Sequence, residues 1–313
     1  MVIESIVGFI VACLFLVKCA NYAVKSLTDI ARALHIKEFV ISFMLVGIVS
    51  SLPEASVAIF SSIEGDPSIG FGALMGSNIA DLSIVLGLIV LIGGRVRVKS
   101  EFVYQEMLHV ALILIPFILA YDGVLSRLDG MVLILLSLFF ILHLLKRRYE
   151  FTSSNARVGN KAVLAHGAVF LASIAGLMLS AHFVFKFTED LSAYLALPTV
   201  TIALIVIGLG TCLPEFMFAV RSMRKHKDDL ALGDILGNVI IDATLILGIT
   251  ALISPIIISR TIIFITGAFT VLLVAMTLSL LGYKRALSQS DGILLVFLYV
   301  IFVIVGLTAR TLA

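Results

Sequence analysis

The 313-residue sequence has little charge, no tryptophan and few cysteines. Charged residues make up 13% of the chain, whereas hydrophobic residues make up 61%. A soluble domain carries roughly 25% charged residues, because water must solvate its surface. The shortage of charge therefore excludes an ordinary soluble protein and predicts an integral membrane protein whose surface mostly faces lipid.

The same scarcity argues against several functions. The three cysteines, Cys13, Cys19 and Cys212, lie in apolar stretches, so we expect no disulfide framework. The net charge of +2 gives no indication of nucleic-acid binding. The six histidines are scattered, whereas a zinc site needs paired His or Cys at short spacing. We therefore expect no enzyme, no bound cofactor, no nucleic acid and no obligatory protein partner.

Ten apolar runs are long enough to cross a membrane. Each has about 18–24 residues, and a helix of that length spans a hydrocarbon core of about 30 Å. The runs are continuously apolar, whereas the strands of a membrane barrel alternate apolar and polar residues. The sequence thus predicts an all-α membrane protein with ten transmembrane helices. They lie near residues 3–24, 39–62, 69–92, 105–121, 128–145, 163–185, 200–221, 230–253, 262–281 and 292–309.

Basic residues are sorted between the connections. Alternate connections, beginning with the one between the first two spans, carry three, three, five, four and two Lys or Arg residues. They hold 17 of the 22 basic residues, the opposite side holds 4, and Lys18 lies within a span. Because cytoplasmic loops carry the excess of Lys and Arg, we expect both termini to be extracellular. The start of the chain has no basic segment, so we interpret the first run as a retained span and not a signal peptide.

One pattern recurs at a fixed offset of 161 residues. Leu52-Pro53-Glu54 returns as Leu213-Pro214-Glu215, and Asp81 returns as Asp242. The matching glycines are Gly47 with Gly208, Gly72 with Gly233, and Gly76 with Gly237. A duplicated unit of five helices enters the membrane from the opposite side, so the halves should be inverted repeats. We expect repeats over 1–150 and 162–313, with a cytoplasmic linker over 151–161.

Four acidic residues lie deep in predicted spans, namely Glu54, Asp81, Glu215 and Asp242. At 1.5 Å per residue, their distance from the span ends places them near the middle of the bilayer. Each charged carboxylate there costs about 2.5–3.5 kcal/mol, and no basic residue is repeated at that depth. We therefore expect mobile cations or protons to neutralise the four acids.

Two prolines and several polar groups accompany these acids. Pro53 and Pro214 should disturb the carbonyls four residues earlier, those of Val49 and Gly210. Carbonyl and carboxylate oxygens are ligands that Ca²⁺ and other hard cations prefer. Besides the four acids, the candidate cation-site residues are Ser50, Ser51, Ser77, Thr211, Cys212, Asn238, Val49, Gly210, Gly47 and Gly208. The Gly-x-x-x-Gly spacing at 72–76 and 233–237 predicts close helix contacts.

Two segments resemble the α-repeats of the calcium/cation antiporter superfamily, and most closely those of prokaryotic sodium/calcium exchangers. They are Gly208-Leu209-Gly210-Thr211-Cys212-Leu213-Pro214-Glu215 and Gly76-Ser77-Asn78-Ile79-Ala80-Asp81. The resemblance implies a site between spans 2, 3, 7 and 8. It also implies that access to this site alternates as spans 1 and 6 slide.

The resemblance further implies exchange of Ca²⁺ for Na⁺ across the plasma membrane. By this likeness Glu54 and Glu215 would bind Ca²⁺, and Ser51, Thr211 and Ser77 would help to bind Na⁺. The protein would bind only the ions that it transports, and the lipid bilayer would surround its helices.

The sequence departs from the exchanger pattern at four positions. Asp81 stands where Asn is common, Cys212 and Asn238 stand where Ser is usual, and Val49 replaces a motif glycine. Two hydroxyl oxygens are lost and a fourth carboxylate is gained, and crowding of like charges favours proton uptake. Calcium/proton antiport is therefore an alternative to calcium/sodium antiport.

A cation channel and an intramembrane protease are alternative functions for acids in apolar spans. A cation channel could also use acidic residues, but inverted repeats with interrupted helices favour alternating access. Tyr121-Asp122 and Leu232-Gly233-Asp234 echo an intramembrane aspartyl protease. Asp122 and Asp234 lie at opposite membrane faces in the predicted topology, so they could not share a proton.

Overall fold

The computed structural model describes residues 2–33, 51–97, 107–146, 160–224 and 228–308. Within these ranges the chain is mostly helical. The first part contains α1 Val2–Ala33, α2 Leu52–Glu64, α3 Pro67–Ala80, α4 Leu86–Gly93, α5 Ile115–Leu119 and α6 Arg127–Lys146. A π-helical turn, Asp81–Val85, joins α3 to α4, and 3₁₀ turns cover Met107–Leu114 and Ala120–Asp122.

The second part has a corresponding series of helices. It contains α7 Asn160–Leu195, α8 Thr199–Ile202, α9 Gly208–Thr211, α10 Leu213–Arg224, α11 Asp228–Ile241, α12 Leu247–Ile253, α13 Arg260–Lys284 and α14 Gln289–Thr308. The π-helical turn Ala203–Ile207 joins α8 to α9, and Asp242–Ile246 joins α11 to α12.

Seven helical segments of the described residues are long and apolar enough to cross a membrane. They are Glu4–Leu27, Pro67–Gly93, Val163–Leu195, Thr199–Arg224, Ala231–Ile253, Arg260–Gly282 and Gln289–Thr308. Each overlaps a different predicted run. The run at 128–145 is helical as α6, and α2 covers the described part of the run at 39–62. The total of ten membrane helices therefore stays a prediction.

The predicted span at 105–121 is not a continuous α-helix. It contains the 3₁₀ turn Met107–Leu114 followed by the short helix α5. Pro116 lies in the first turn of α5 and has no N–H to bond a carbonyl of the preceding turn, which favours a break there. The all-α prediction also omitted short strands at the helix ends.

The short strands and the helices beside them connect the two halves of the chain. Strand β1, Arg95–Arg97, pairs antiparallel with β4, Ala286–Ser288, and β2, Val124–Leu125, pairs with β3, Ile256–Ile257. Similarly, α4 packs against α14 and α12 packs against α6. When 161 residues are added to β1 and subtracted from β4, the pair β1–β4 becomes approximately the pair β3–β2. In the same way the pair α4–α14 becomes the pair α12–α6. The duplicated pattern in the sequence thus has a counterpart in the contacts.

Burial separates central from peripheral helices. Most residues of Pro67–Gly93 and Ala231–Ile253 are buried, whereas few residues of Gln289–Thr308 are. Peripheral helices instead expose large apolar side chains such as Leu135 and Phe139 on α6. This distribution suits a protein whose outer surface contacts lipid. The two central helical segments are those that carry Asp81 and Asp242.

Helices α1 and α7 form a long pair on one side of the molecule. They have 32 and 36 residues, or about 48 and 54 Å at 1.5 Å per residue, and so must tilt or extend beyond the hydrocarbon core. They share a hydrophobic cluster with one another and with side chains of α2, α3 and α8. Two glycines allow α1 and α7 to pack closely. Gly8 faces the Phe187 ring, and Gly176 faces Cys19.

Candidate cation site

Glu54 and Glu215 occupy equivalent places at helix N-termini. Each is the third residue of its helix, α2 or α10, directly after a proline. Proline is tolerated in the first turn because the N–H groups there have no intrahelical acceptor. In the second half this produces a real interruption, since α9 ends at Thr211 and α10 begins at Leu213. The positive end of the helix dipole thus lies beside each carboxylate.

Both glutamates are fully buried. Their exposed fraction is 0%, and neither side-chain oxygen of either residue accepts a hydrogen bond from the described residues. A buried carboxylate without hydrogen bonds or a counter-charge is costly, so it must take up a cation or a proton. The pair therefore has the electrostatic requirement of an ion-binding site.

Asp81 and Asp242 each begin a π-helical turn in a central helix. Such turns often occur at functional sites. The amide Nδ2 of Asn238 donates to Asp81 Oδ2 at 3.3 Å, and the hydroxyl of Ser77 approaches Asp242 Oδ2 at 3.4 Å. Ser77 and Asp81 are four residues apart, as are Asn238 and Asp242, so the spacing alone predicts that each pair shares one helical face. The structure instead pairs each polar side chain with the acid of the other half, because the two central helices pack side by side.

The remaining predicted polar groups surround these acids. The Ser51 hydroxyl donates to Asn238 Oδ1, so Asn238 links Ser51 to Asp81. The Thr211 hydroxyl donates to the carbonyl of Ile207 at 3.1 Å and lies beside the Glu54 carboxylate. Hydroxyl and amide groups of both halves therefore meet at one place.

Cys212 is also at the site. Its thiol lies 3.0 Å from the Gly208 carbonyl and 3.4 Å from the Ser77 carbonyl, so it contacts the backbone of both halves. Gly47, Val49 and Ser50 were also predicted as site residues, but they lie outside the described residues.

Glu54 and Asp81 interact electrostatically with each other and with both of the other predicted acids. Glu54 interacts electrostatically with Asp242 and Asp81, and Glu215 interacts with Glu54 and Asp81. In the described part of the chain, however, no three His, Cys, Asp or Glu side chains are placed to hold a metal ion by themselves. Any cation here would also need hydroxyl, amide or carbonyl oxygens, as Ca²⁺ commonly does.

The predicted close contact at the first Gly-x-x-x-Gly pair is present. A Cβ added at Gly208 would lie 2.5 Å from the Gly76 carbonyl carbon, and one at Gly72 would lie 2.7 Å from the Ala203 Cβ. Gly208 is thus a packing position that brings its own carbonyl and Ser77 to the site. No described residue lies within 4 Å of a Cβ built at Gly233 or Gly237.

Another buried acid, Asp234, was not predicted as part of the site. It is 6% exposed and interacts electrostatically with Asp81 and Glu215. The repeat could not reveal it, because the equivalent position in the first half is Ala73. In the sequence it was visible as an acid near the beginning of an apolar run and as part of the Leu232-Gly233-Asp234 segment that echoes a protease motif.

Comparison with known proteins bears on the whole chain. The sequence model of a family described as "Sodium/calcium exchanger protein" matches residues 4–146 and 166–307. The chain belongs to the sodium/calcium exchanger family. The predicted resemblance to calcium/cation antiporters is thereby confirmed. As a member of this family, the chain is a membrane antiporter concerned with ion and calcium transport.

Individual relatives cover most of its length. The inner membrane protein YrbG of Escherichia coli is 30% identical over 257 residues, 79% of each chain. The sodium/calcium exchanger MaX1 of Methanosarcina acetivorans is 25% identical over 343 residues, covering 93% of this chain and 95% of its own. Structures of the sodium-calcium exchanger NCX_Mj share the fold, with a TM-score of 0.65 at 23% identity over 96% of this chain and 98% of theirs.

Proposed function

We propose that this exchanger-family protein is a secondary active antiporter that exchanges Ca²⁺ for Na⁺ at one shared site in the middle of the membrane. The observation that carries the proposal is the pair Glu54 and Glu215. The two carboxylates come from different halves of the chain, are fully buried, and accept no hydrogen bond from the described residues. The relative MaX1 is named a sodium/calcium exchanger, which agrees with the choice of these two ions.

Coupling follows from sharing the same oxygens. Ca²⁺ takes six to eight oxygen ligands, and two carboxylates would supply the negative charge that offsets its dehydration. Na⁺ would use the same carboxylates together with the hydroxyls of Ser51, Ser77 and Thr211. Because the carboxylates cannot hold both kinds of ion at once, occupancy by one excludes the other. The fluxes in opposite directions are then linked.

Alternating access would come from the relation between the halves. We propose that the repeats over 1–150 and 162–313 have opposite orientations, joined by a cytoplasmic linker over 151–161, with both termini outside the plasma membrane. The reciprocal contacts β1–β4 with β2–β3 and α4–α14 with α12–α6 support this arrangement. The long pair α1 and α7 would slide across the site and expose it to each side in turn.

Proton coupling is a second candidate, favoured by Asp81. Its carboxylate is 0% exposed, and its Oδ1 accepts no hydrogen bond from the described residues. A fourth acid within range of Glu54 and Glu215 could hold a proton where a sodium-coupled exchanger would hold a sodium ion. Calcium efflux would then be driven by proton entry.

Calcium uptake into proteoliposomes tests both candidates. We expect ⁴⁵Ca²⁺ uptake that requires an outward gradient of Na⁺ or of H⁺, each applied separately, with a K⁺ gradient for comparison. Glu54→Gln and Glu215→Gln should each abolish uptake, because each removes a carboxylate charge from the site. Glutamine retains the side-chain shape, so the effect can be assigned to the charge. Glu64→Gln, at the exposed end of α2, is the matched control and should transport like wild type.

Two results would refute the proposal. Wild-type rates in either deep glutamine variant would exclude these carboxylates as the shared site. Uptake that proceeds without any counter-ion gradient would indicate a channel.

A further inference from the structure

Asp234 is a buried acid that the proposed exchange at the midplane does not use. Both of its side-chain oxygens are buried and accept no hydrogen bond from the described residues, and no basic side chain of that part of the chain forms an ion pair with it. A bare carboxylate in this position is costly unless a cation or a proton visits it. Its burial therefore needs an explanation that packing does not supply.

The position of Asp234 on α11 relates it to the midplane site. Asp234, Asn238 and Asp242 are spaced by four residues and so follow one face of the helix. At 1.5 Å per residue, Asp234 lies about 6 Å along the axis from Asn238 and about 12 Å from Asp242. It is six residues from the beginning of α11 at Asp228, or about 9 Å. Asp234 thus lies between the end of the helix and the midplane acids.

Asp234 lies close enough to the midplane acids to interact with them electrostatically. The helix α11 packs against α10, which carries Glu215, and against the π-helical turn that begins at Asp81. Asp234 interacts electrostatically with both of these acids. A cation that passes from Asp234 to the midplane would therefore move along a continuous negative field.

The first half of the chain lacks this acid. The position equivalent to Asp234 is Ala73, which is fully buried in the hydrophobic cluster shared by α1 and α7. If the two halves provide routes to the site from opposite faces, only one route has an acid at this position of the repeat. The two routes are then electrostatically unequal.

We propose that Asp234 is an access site for the divalent cation on the membrane face where α11 begins, and that it makes the two faces differ in their apparent affinity for Ca²⁺. This inference rests on the proposed exchange function. A single carboxylate supplies too few oxygens to hold Ca²⁺ firmly, so the ion at Asp234 stays weakly held. The local concentration of cation near the midplane site rises on that face only.

The test measures Ca²⁺ uptake separately from each face, in right-side-out and inside-out vesicles. Asp234→Asn should raise the KM for Ca²⁺ on the face where α11 begins by on the order of tenfold, as expected for loss of one nearby charge. The KM on the other face and kcat on both faces should stay within about twofold. Asp229→Asn removes the same charge from the first turn of the same helix and is the control, with an unchanged KM on both faces.

The outcomes separate this proposal from the proposed exchange function. Equal KM values for Asp234→Asn and wild type on both faces, or an equal rise on both faces, would overturn the access site. Loss of uptake in Glu54→Gln with a one-sided KM effect in Asp234→Asn supports both proposals. If wild-type protein transports no Ca²⁺, the exchange function fails, and equilibrium ⁴⁵Ca²⁺ binding to purified protein then decides. Binding that persists in Glu54→Gln and is lost in Asp234→Asn supports the site, and binding unaffected by Asp234→Asn overturns it.

Discussion

Cross-linking of α1 at two places tests whether α1 and α7 slide together. A Cβ at Gly176 of α7 would lie 3.6 Å from the Cys19 Cβ, and one at Gly210 of α9 would lie 4.0 Å from the Cys13 Cβ. Disulfides need a Cβ–Cβ distance of about 3.5–4.5 Å, so Gly176→Cys and Gly210→Cys can each bond a native cysteine. The first bond joins α1 to α7, whereas the second joins α1 to the interrupted helix at the site.

The first disulfide should leave transport unchanged, and the second should block it. The Gly210→Cys disulfide leaves only about 0.5 Å before the geometry becomes strained. Sliding by even one helical residue requires about 1.5 Å. We therefore expect the oxidised Gly210→Cys protein to lose Ca²⁺ uptake in proportion to the cross-linked fraction. Oxidised Gly176→Cys should retain uptake, because its bond lies within the sliding pair.

The assay is ⁴⁵Ca²⁺ uptake after treatment with a membrane-permeant oxidant, with the cross-linked fraction measured by mass spectrometry. Reduction should restore uptake in Gly210→Cys, and Gly210→Cys with Cys13→Ser should be insensitive to the oxidant. Full uptake by completely cross-linked Gly210→Cys would refute sliding of α1 past the site. Loss of uptake in cross-linked Gly176→Cys would show that α1 and α7 do not move as a unit.

Two further variants test the site and its packing. Asp81→Asn keeps an oxygen that can accept a hydrogen bond from the Asn238 amide but removes one charge. The ratio of sodium-driven to proton-driven ⁴⁵Ca²⁺ uptake should therefore rise by about tenfold. An unchanged ratio would show that Asp81 does not set the coupling ion. Gly208→Ala forces a Cβ against the Gly76 backbone and should cost about 1–3 kcal/mol, measured as a lower Tm in detergent. Gly167→Ala has no atom within 4 Å of the added Cβ and should melt like wild type, and equal Tm values for the two variants would contradict the close Gly76–Gly208 contact.

The sequence alone determined the membrane class, the family and the identity of the deep acids. Scarce charge and long apolar runs are properties of the chain itself, and lipid leaves few alternatives to helices for such runs. The duplicated Leu-Pro-Glu and the paired Asp81 and Asp242 indicated the candidate site, because repetition at one offset can be recognised without knowledge of the fold. Both comparisons and structure agree with these features, while the orientation and the total of ten spans remain predictions.

Only the tertiary structure decided which side chains meet. Spacing in the sequence puts Ser77 four residues before Asp81, but packing of the two central helices brings Ser77 to Asp242 and Asn238 to Asp81. Local spacing describes one helix, whereas these contacts depend on the angle and depth at which two helices pack. The burial of Asp234 also arises from packing, because a carboxylate on an isolated helix would be exposed. The π-helical turns at Asp81 and Asp242 likewise appear only in the structure.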